Sequence, residues 1–126
     1  FDRVVVDLPC SGTGILPRHP DLKWRLTEGE IGRLAAAGAN LLTGAADAVA
    51  PGGLLVAITC SIETQENERV VERLRAARSD LEPVDLAERL GPSLAEHVFG
   101  PGAWRLLPGP RNDGFTVHVL RKRARS

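Results

Sequence analysis

The chain has 126 residues, 43% of them hydrophobic, and its 16 basic and 16 acidic side chains cancel to a formal net charge of zero. This length predicts one domain with a buried core. The neutral balance provides no overall positive field for nucleic acid, and the sequence shows neither a signal segment nor an apolar span long enough for a bilayer. Two cysteines are favoured as free thiols in a reducing compartment. We therefore expect a soluble, cytoplasmic protein without membrane contact.

The first predicted elements are a strand, a long loop and a helix. Arg3–Asp7 is a valine-rich run typical of a buried strand, and a loop rich in glycine and proline extends from residue 8 to about 26. Thr27 and Glu30 have the spacing of a capping box. Apolar residues then recur at helical spacing until Pro51-Gly52-Gly53 ends the helix.

The remaining predicted elements complete an α/β pattern. They are a second strand at 54–59, a helix at about 65–78, a third strand at 81–86, an irregular stretch at 87–102 with one helical turn near Leu94, a segment at 104–107 that leads into a polar turn, and a last strand at 115–120. Four strands correspond to half of a doubly wound sheet. The edge beside the first strand would then be bare and apolar on both faces, so self-association through it is expected.

Both cysteines follow a predicted strand. Cys10 comes after Asp7-Leu8-Pro9, and Cys60 comes directly after Thr59. Ligands of open α/β sheets bind at the carboxyl ends of the strands. Because one helical pattern separates the two strands, we expect them to be neighbours, with both thiols facing one crevice.

Each cysteine also has a purely structural interpretation, as a small hydrophobic residue of the core. Asp7 favours a functional site over that structural interpretation, since a carboxylate at the end of such a strand must be hydrogen-bonded or face a ligand. Cys60 precedes a predicted helix, whose N-terminus would favour the thiolate. The Ser11-Gly12-Thr13-Gly14 turn is only a weak phosphate-binding signal, because it lacks the P-loop lysine.

Histidines and a basic segment provide further candidates. A zinc site or a Cys–His pair would have to recruit His19, His97 or His118, which are scattered, so no metal is predicted. Trp24 lies between two basic residues and either stacks on a base or covers the core. His118, in the last strand, is expected to be packed.

Several motifs occur together in this order: Asp7-Leu8-Pro9-Cys10-Ser11-Gly12-Thr13-Gly14, Arg18, Pro20, Lys23-Trp24-Arg25, Thr59-Cys60-Ser61, Glu66-Asn67, Leu106-Leu107-Pro108 and Asp113-Gly114-Phe115. In this combination the chain resembles the RNA cytosine-5 methyltransferases of the Sun/Fmu (nucleolar protein) family. The resemblance extends over essentially the whole sequence.

The resemblance implies a Rossmann-like, S-adenosylmethionine-dependent enzyme that methylates carbon 5 of a cytosine in RNA, ribosomal RNA first and transfer RNA second. It implies that Cys60 is the nucleophile that adds to carbon 6, and that Cys10 assists release of the product. Asp7 would hold the cytosine and lie against the cofactor, beside Pro9. The RNA contacts would come from Arg18, Lys23, Trp24 and Arg25.

The resemblance also implies an incomplete catalytic domain. Residues 1–126 would be its C-terminal portion, the C-terminal half of the methyltransferase sheet with its flanking helices. The glycine-rich cofactor loop and an RNA-binding region would precede Phe1, where the chain starts without a methionine and directly before a strand. The alternative is a non-catalytic RNA-binding or assembly module derived from such an enzyme.

Overall fold

The computed structural model describes residues 1–24 and 26–124 and contains one six-stranded sheet with flanking helices. The strands are β1 (Arg3–Asp7), β2 (Leu54–Thr59), β3 (Leu81–Pro83), β4 (Val98–Gly100), β5 (Ala103–Leu106) and β6 (Phe115–Lys122). The helices are α1 (Glu28–Ala48), α2 (Glu68–Ala77), α3 (Leu86–Arg89) and α4 (Pro92–Ala95). Short 3-10 turns occupy Thr13–Ile15, Pro20–Trp24 and Thr64–Glu66. Within these described ranges, no helix is both long and apolar enough to cross a membrane.

The sheet is mixed, and its one parallel pair carries the two cysteine loops. β1 and β2 run parallel, with Asp7 opposite Ile58 at their carboxyl ends. β2 then pairs antiparallel with β6, which in turn pairs with β5 and β3, and β4 closes the order beside β5. The prediction that the two cysteine-bearing strands are neighbours is therefore confirmed.

The core lies between the sheet and helices α1 and α2. Its fully buried side chains include Leu42 and Ala46 of α1 and Leu55 of β2, and α2 contributes Val70 and Leu74. These helical residues recur at three- and four-residue spacing, which brings them onto one face. Burying a leucine of this kind stabilises the fold by about 1.5–3 kcal/mol. This packing holds the two parallel strands, and therefore the site at their ends, in one rigid layer.

The prediction was wrong about the region after α2. The third strand ends at Pro83 rather than residue 86, because the Asp85 side chain accepts a hydrogen bond from the Glu88 amide and begins α3. The stretch at 87–102 that was predicted as irregular contains most of α3, all of α4 and β4, and residues 103–106 form β5. The described chain therefore has six strands instead of four. The helical turn near Leu94 is confirmed as α4.

The edge formed by β1 differs from the prediction on one of its faces. β1 has β2 as its neighbour in the sheet order and lies at the end of that order. Val5 is 64% exposed, but Val6 is buried and Val4 is packed against the core beneath α1. The apolar surface beside β1 is therefore exposed on one face of the sheet and covered on the other.

Candidate active site

The two cysteines meet where β1 and β2 end. The sulfur atoms of Cys10 and Cys60 are 3.2 Å apart, and both side chains are partly buried and free. A disulfide bond would bring the sulfurs to about 2.05 Å. The structure therefore holds a thiol pair in hydrogen-bond contact, and the predicted common crevice is confirmed.

Backbone hydrogen bonds tie the two cysteine loops to each other. The Leu8 amide donates to the Ile58 carbonyl at 2.8 Å, and the Gly14 amide donates to the Cys60 carbonyl, also at 2.8 Å. The Gly114 amide in turn donates to the Gly14 carbonyl at 2.6 Å. A Cβ at position 14 would lie 2.0 Å from the Gly114 carbonyl oxygen, so this close approach requires glycine.

The contact makes the two thiols chemically different. The hydrogen bond from the Cys10 thiol lowers the pKa of Cys60 to about 7, although burial and the nearby Asp7 and Glu66 charges oppose that shift. The same hydrogen bond, together with burial, raises the pKa of Cys10 well above its ordinary value. These shifts favour Cys60 as the thiolate of the pair and Cys10 as its donor.

The predicted thiolate character of Cys60 thus has a different main cause. The sequence attributed it to the N-terminus of the following helix, but α2 begins only at Glu68, after the 3-10 turn Thr64–Glu66. The hydrogen bond from Cys10 is the largest contribution, and a backbone amide adds a smaller one. The partner is 50 positions away in the chain, which is why the local sequence does not reveal it.

A buried carboxylate lies directly behind the thiol pair. Glu66 is only 2% exposed and accepts three hydrogen bonds. The Ser11 amide donates to Oε2 at 2.6 Å, and the Ser11 and Ser61 hydroxyls donate to Oε1 at 2.5 and 2.7 Å. Ser11 and Ser61 each follow a cysteine, so one side chain holds both loops.

A second group of polar residues holds the Cys60 loop from its other side. The Ser61 carbonyl accepts from the side-chain amide of Asn67 at 3.1 Å and from the Thr116 hydroxyl at 2.8 Å. The Thr116 hydroxyl accepts from Arg105 Nε at 2.9 Å, and Arg105 also pairs with Glu68 at the start of α2. The loop is thus connected both to helix α2 and to strands β5 and β6.

Asp7 and Pro9 lie beside this pair. Asp7 ends β1 with its carboxylate exposed, rather than engaged in the hydrogen-bond networks of the two loops. It lies opposite Ile58 at the carboxyl end of the parallel pair, where both cysteine loops begin, and its charge raises the pKa of Cys60. Of the two alternatives for Asp7, this arrangement favours the one in which it faces a ligand. Pro9 is half-buried, and its backbone lies close to helix α1: a Cβ added at Gly38 would be 3.8 Å from the Pro9 carbonyl oxygen.

The candidate RNA-binding residues lie in the loop between β1 and α1. Trp24 is 81% exposed, with the Lys23 ammonium 5.0 Å from its ring centre, so it does not cover the core. Arg18 is exposed but engaged, since its Nε lies 3.2 Å from Asp113 Oδ1 and its Nη2 donates to the Arg111 carbonyl at 3.4 Å. Arg25 lies outside the described residues.

The histidines do not form a metal site with the cysteines. His118 is packed as predicted, 6% exposed, and burial lowers its pKa to about 4. His97 packs edge-on against Trp104, with 5.4 Å between ring centres. In residues 1–24 and 26–124, no three His, Cys, Asp or Glu side chains are grouped so that they could hold a metal ion.

Sequence reasoning missed the role of Glu66 and of the two serines. Glu66 occurs in a polar stretch before a helix, where a carboxylate is normally solvated. A signal was present in the repeated Cys-Ser pair, Cys10-Ser11 and Cys60-Ser61, which places a hydroxyl directly after each thiol. That repetition places two hydroxyls at neighbouring strand ends, but only the fold shows that they share an acceptor and that it is Glu66.

Comparison with known proteins confirms the resemblance seen in the motifs. Residues 1–121 match the family model described as 16S rRNA methyltransferase RsmB/F. Ribosomal RNA small subunit methyltransferase B of Klebsiella pneumoniae (strain 342) is 38% identical over 98% of this chain, and that of Vibrio cholerae is 39% identical over 97%. A probable ribosomal RNA small subunit methyltransferase B of Bacillus subtilis is 34% identical over 98%. The chain covers 26–28% of the length of these three relatives.

Solved structures show the same fold. The crystal structure of PH0851 superposes with a TM-score of 0.82 at 33% identity, over 96% of this chain and 26% of that one. The structure of NSun6 from Pyrococcus horikoshii with SFG gives a TM-score of 0.70 at 23% identity, over 94% of this chain and 29% of that one. The α/β arrangement is therefore the Rossmann-like fold of these methyltransferases. By its sequence match and its fold, this chain belongs to the RsmB/F family of 16S rRNA methyltransferases.

Proposed function

We propose that residues 1–126 are the C-terminal portion of a catalytic domain that methylates carbon 5 of a cytosine in RNA, with S-adenosylmethionine as methyl donor. Small-subunit ribosomal RNA is the proposed substrate, because the matched relatives are named for it, and transfer RNA is the second choice. The observation that carries the proposal is the contact between the Cys10 and Cys60 sulfurs, 3.2 Å apart where the parallel strands β1 and β2 end.

The thiol pair suits a reaction that needs a nucleophile at neutral pH. Carbon 5 of cytosine becomes nucleophilic only when a group adds to carbon 6, and a thiolate is a strong nucleophile for this addition. With a pKa of about 7, Cys60 is about half ionised at pH 7. Cys60 is therefore proposed to form the carbon–sulfur bond at carbon 6, which pushes the electron pair of the 5,6 double bond towards carbon 5.

Cys10 is proposed to act in the second half of the reaction. While Cys60 is a thiolate, its charge and hydrogen bond keep Cys10 protonated. Once Cys60 is a thioether that charge is gone, so the Cys10 pKa falls and its proton passes to water. Once carbon 5 bears the methyl group that S-adenosylmethionine would supply, the Cys10 thiolate accepts the proton of carbon 5, the 5,6 double bond re-forms, and the carbon–sulfur bond breaks to restore the Cys60 thiolate.

The residues at the site fit the proposed cofactor. S-adenosylmethionine supplies a methyl group on a positively charged sulfur and also carries an ammonium group. The exposed Asp7 carboxylate is available for such a cation, because the networks of the two loops do not use it. We propose that Asp7 and the neighbouring Pro9 form one wall of the cofactor pocket, with Asp7 also holding the cytosine edge.

The RNA contacts are proposed for the segment between β1 and α1. An unstacked base can lie on an exposed tryptophan, and Lys23 beside Trp24 can bind the adjoining phosphate. Arg25 extends this basic segment in the sequence. Arg18 can contribute its Nη1 group, while Asp113 holds Nε and the Arg111 carbonyl accepts from Nη2.

Two cysteine variants test the mechanism. They are made in the full-length protein, which includes residues 1–126 and has the length of the relatives. With RNA and cofactor, Cys60→Ala should give neither methylated RNA nor a covalent complex. Cys10→Ala should form the adduct but release it slowly, so a protein–RNA complex should persist on denaturing gels. Ser79→Ala, which removes a hydroxyl from an exposed turn, is the matched control. A complex trapped by Cys60→Ala but not by Cys10→Ala would reverse the roles, and salt-sensitive binding without any adduct in the unmodified protein would support the non-catalytic module instead.

Asp7→Asn tests the ligand-facing role of that carboxylate. Because the side chain is exposed, its replacement should leave the melting temperature within a few degrees, whereas turnover should fall by at least tenfold. Measuring both on one preparation separates the two roles. A large fall in melting temperature with little change in turnover would show that Asp7 is structural.

A further inference from the structure

Glu66 is placed to control the geometry of the thiol pair without touching either sulfur. Its carboxylate accepts from the Ser11 amide, the Ser11 hydroxyl and the Ser61 hydroxyl at 2.5–2.7 Å. We propose that Glu66 is a positioning residue that clamps the Cys10 loop to the Cys60 loop and so maintains the sulfur–sulfur contact. The inference rests on the proposed function only in taking this thiol pair as the reacting centre.

The burial of Glu66 shows that it has no solvent-facing role. It is 2% exposed, and no lysine, arginine or histidine of the described ranges forms an ion pair with it. A buried carboxylate without a cation is costly unless hydrogen bonds replace its water shell. Here all three donors belong to Ser11 and Ser61, which directly follow the cysteines. These groups stabilise the Glu66 carboxylate, and the carboxylate in turn holds them in place.

The connection is long-range and lies immediately beside the sulfurs. Ser11 is 55 positions from Glu66 in the chain, whereas Ser61 is only five away. Glu66 therefore brings the loop after β1 to a segment that is already fixed by the start of α2. Other direct links flank this one. The Leu8 amide on the Ile58 carbonyl precedes Cys10, whereas the Thr13 hydroxyl, which accepts from the Ile62 amide at 3.0 Å, and the Gly14 amide on the Cys60 carbonyl follow Ser11. Glu66 supplies the link nearest to Cys10, so without the clamp Cys10 would be held only by the links at Leu8 on one side and at Thr13 and Gly14 on the other, and its contact with Cys60 should loosen.

The direction of a thiol pKa shift distinguishes positioning from simple electrostatics. The negative charge of Glu66 by itself raises the pKa of Cys60. Neutralising that charge without moving the loops should therefore lower the Cys60 pKa. If Glu66 positions the pair, its loss should instead weaken the hydrogen bond from Cys10 and raise the Cys60 pKa towards its ordinary value of 9.0. The two explanations thus predict opposite signs.

The experiment compares Glu66→Gln with Glu63→Gln in the full-length protein. Glutamine has the shape of glutamate, but only one of its two terminal atoms is an acceptor: its amide nitrogen is a donor and cannot accept from the Ser11 amide, which donates to Oε2. Glu63 undergoes the same chemical change three positions away, and its side chain is only half-buried. Alkylation of Cys60 by iodoacetamide, followed across pH 5–10 by peptide mass spectrometry, gives the pKa without RNA or cofactor.

Oxidation by diamide adds a direct measure of the sulfur–sulfur contact. The two thiols give up two electrons and two protons to the nitrogen–nitrogen double bond of the reagent, forming one disulfide and one hydrazine. The rate of Cys10–Cys60 bridging should fall at least fivefold in Glu66→Gln and stay unchanged in Glu63→Gln. Glu66→Asp, which retains the charge but shortens the side chain, should show an intermediate rate.

Each outcome decides the proposal. An upward shift of the Cys60 pKa with slower bridging supports the clamp. A downward or absent shift with bridging at the unmodified rate overturns it. If Glu66→Gln does not fold, Ser11→Ala and Ser61→Ala each remove one hydroxyl donor, and the same two measurements apply. Because no RNA is involved, failure of methyl transfer in the unmodified protein would refute the proposed function and leave this result standing.

Discussion

Removing the thiol of Cys10 should slow Cys60 in a way that can be calculated. In Cys10→Ala the main cause of the lowered pKa is lost, so the Cys60 pKa should return from about 7 to at least its ordinary 9.0. At pH 7 the thiolate fraction then falls from about one half to about 1%, roughly a fiftyfold loss. A thiolate of higher pKa is more nucleophilic, with a Brønsted coefficient of about 0.4–0.5. The thiolate form of Cys60 should therefore react roughly sixfold to tenfold faster in the variant, which offsets part of that loss. The net rate should fall by about fivefold to eightfold.

The assay is the initial rate at which Cys60 reacts with a small aromatic disulfide as a function of pH. Above about pH 10 both proteins are ionised, and the variant should then react faster than the unmodified chain, so the two profiles should cross. Cys10→Ser is the control, because its hydroxyl can still donate a hydrogen bond to the Cys60 sulfur and should retain part of the shift. Equal rates at pH 7 with an unmoved midpoint would refute the assignment of Cys10 as the donor.

The remaining predictions concern packing, RNA contact and acid stability. Gly14→Ala should destabilise the fold in urea by about 1–3 kcal/mol, whereas Gly44→Ala, where a Cβ on α1 meets nothing within 4 Å, should stabilise it by about 0.5–1 kcal/mol. Trp24→Ala should weaken RNA binding by about 1–3 kcal/mol in a titration at fixed salt, with an unchanged melting temperature, because the ring is 81% exposed. Burial lowers the His118 pKa from 6.5 to about 4, so stability that is fully present above pH 6.5 should fall by about 3 kcal/mol as the pH drops to 4. His118→Gln should abolish that fall in acid titrations of unfolding.

The elements that the sequence predicted well are those whose pattern is local. β1, β2 and β6 are short runs of β-branched residues, and α1 has a capping box whose Thr27 side chain does accept from the Glu30 amide. Their type and approximate extent follow from periodicity. The contact between the cysteines could also be predicted, because it follows from the parallel pairing of two neighbouring strands.

The hairpin of β4 and β5 was missed although a local signal for it exists. Pro101-Gly102 is a strong turn signal, and Gly102 adopts a positive φ of 64°. A Cβ there would lie 2.6 Å from the Val119 carbonyl, so the turn packs tightly against β6. The flanking strands have three and four residues, too few for alternation to stand out in the sequence. Pairing with β6 stabilises them, and this pairing is a tertiary effect.

The chemistry of the site depends on features that no local pattern contains. In the proposed reaction two identical side chains perform different roles, and only their surroundings can distinguish them. Here the hydrogen bond between Cys10 and Cys60 creates the difference, since it favours the thiolate on one sulfur and the thiol on the other. That hydrogen bond persists only if the loops after β1 and β2 stay in register, which strand pairing alone does not ensure beyond Leu8. The proposed clamp meets this requirement through a buried acceptor that is shared by the residue after each cysteine. It would explain why the charged Glu66 side chain is enclosed close to Cys60, although its charge raises the Cys60 pKa.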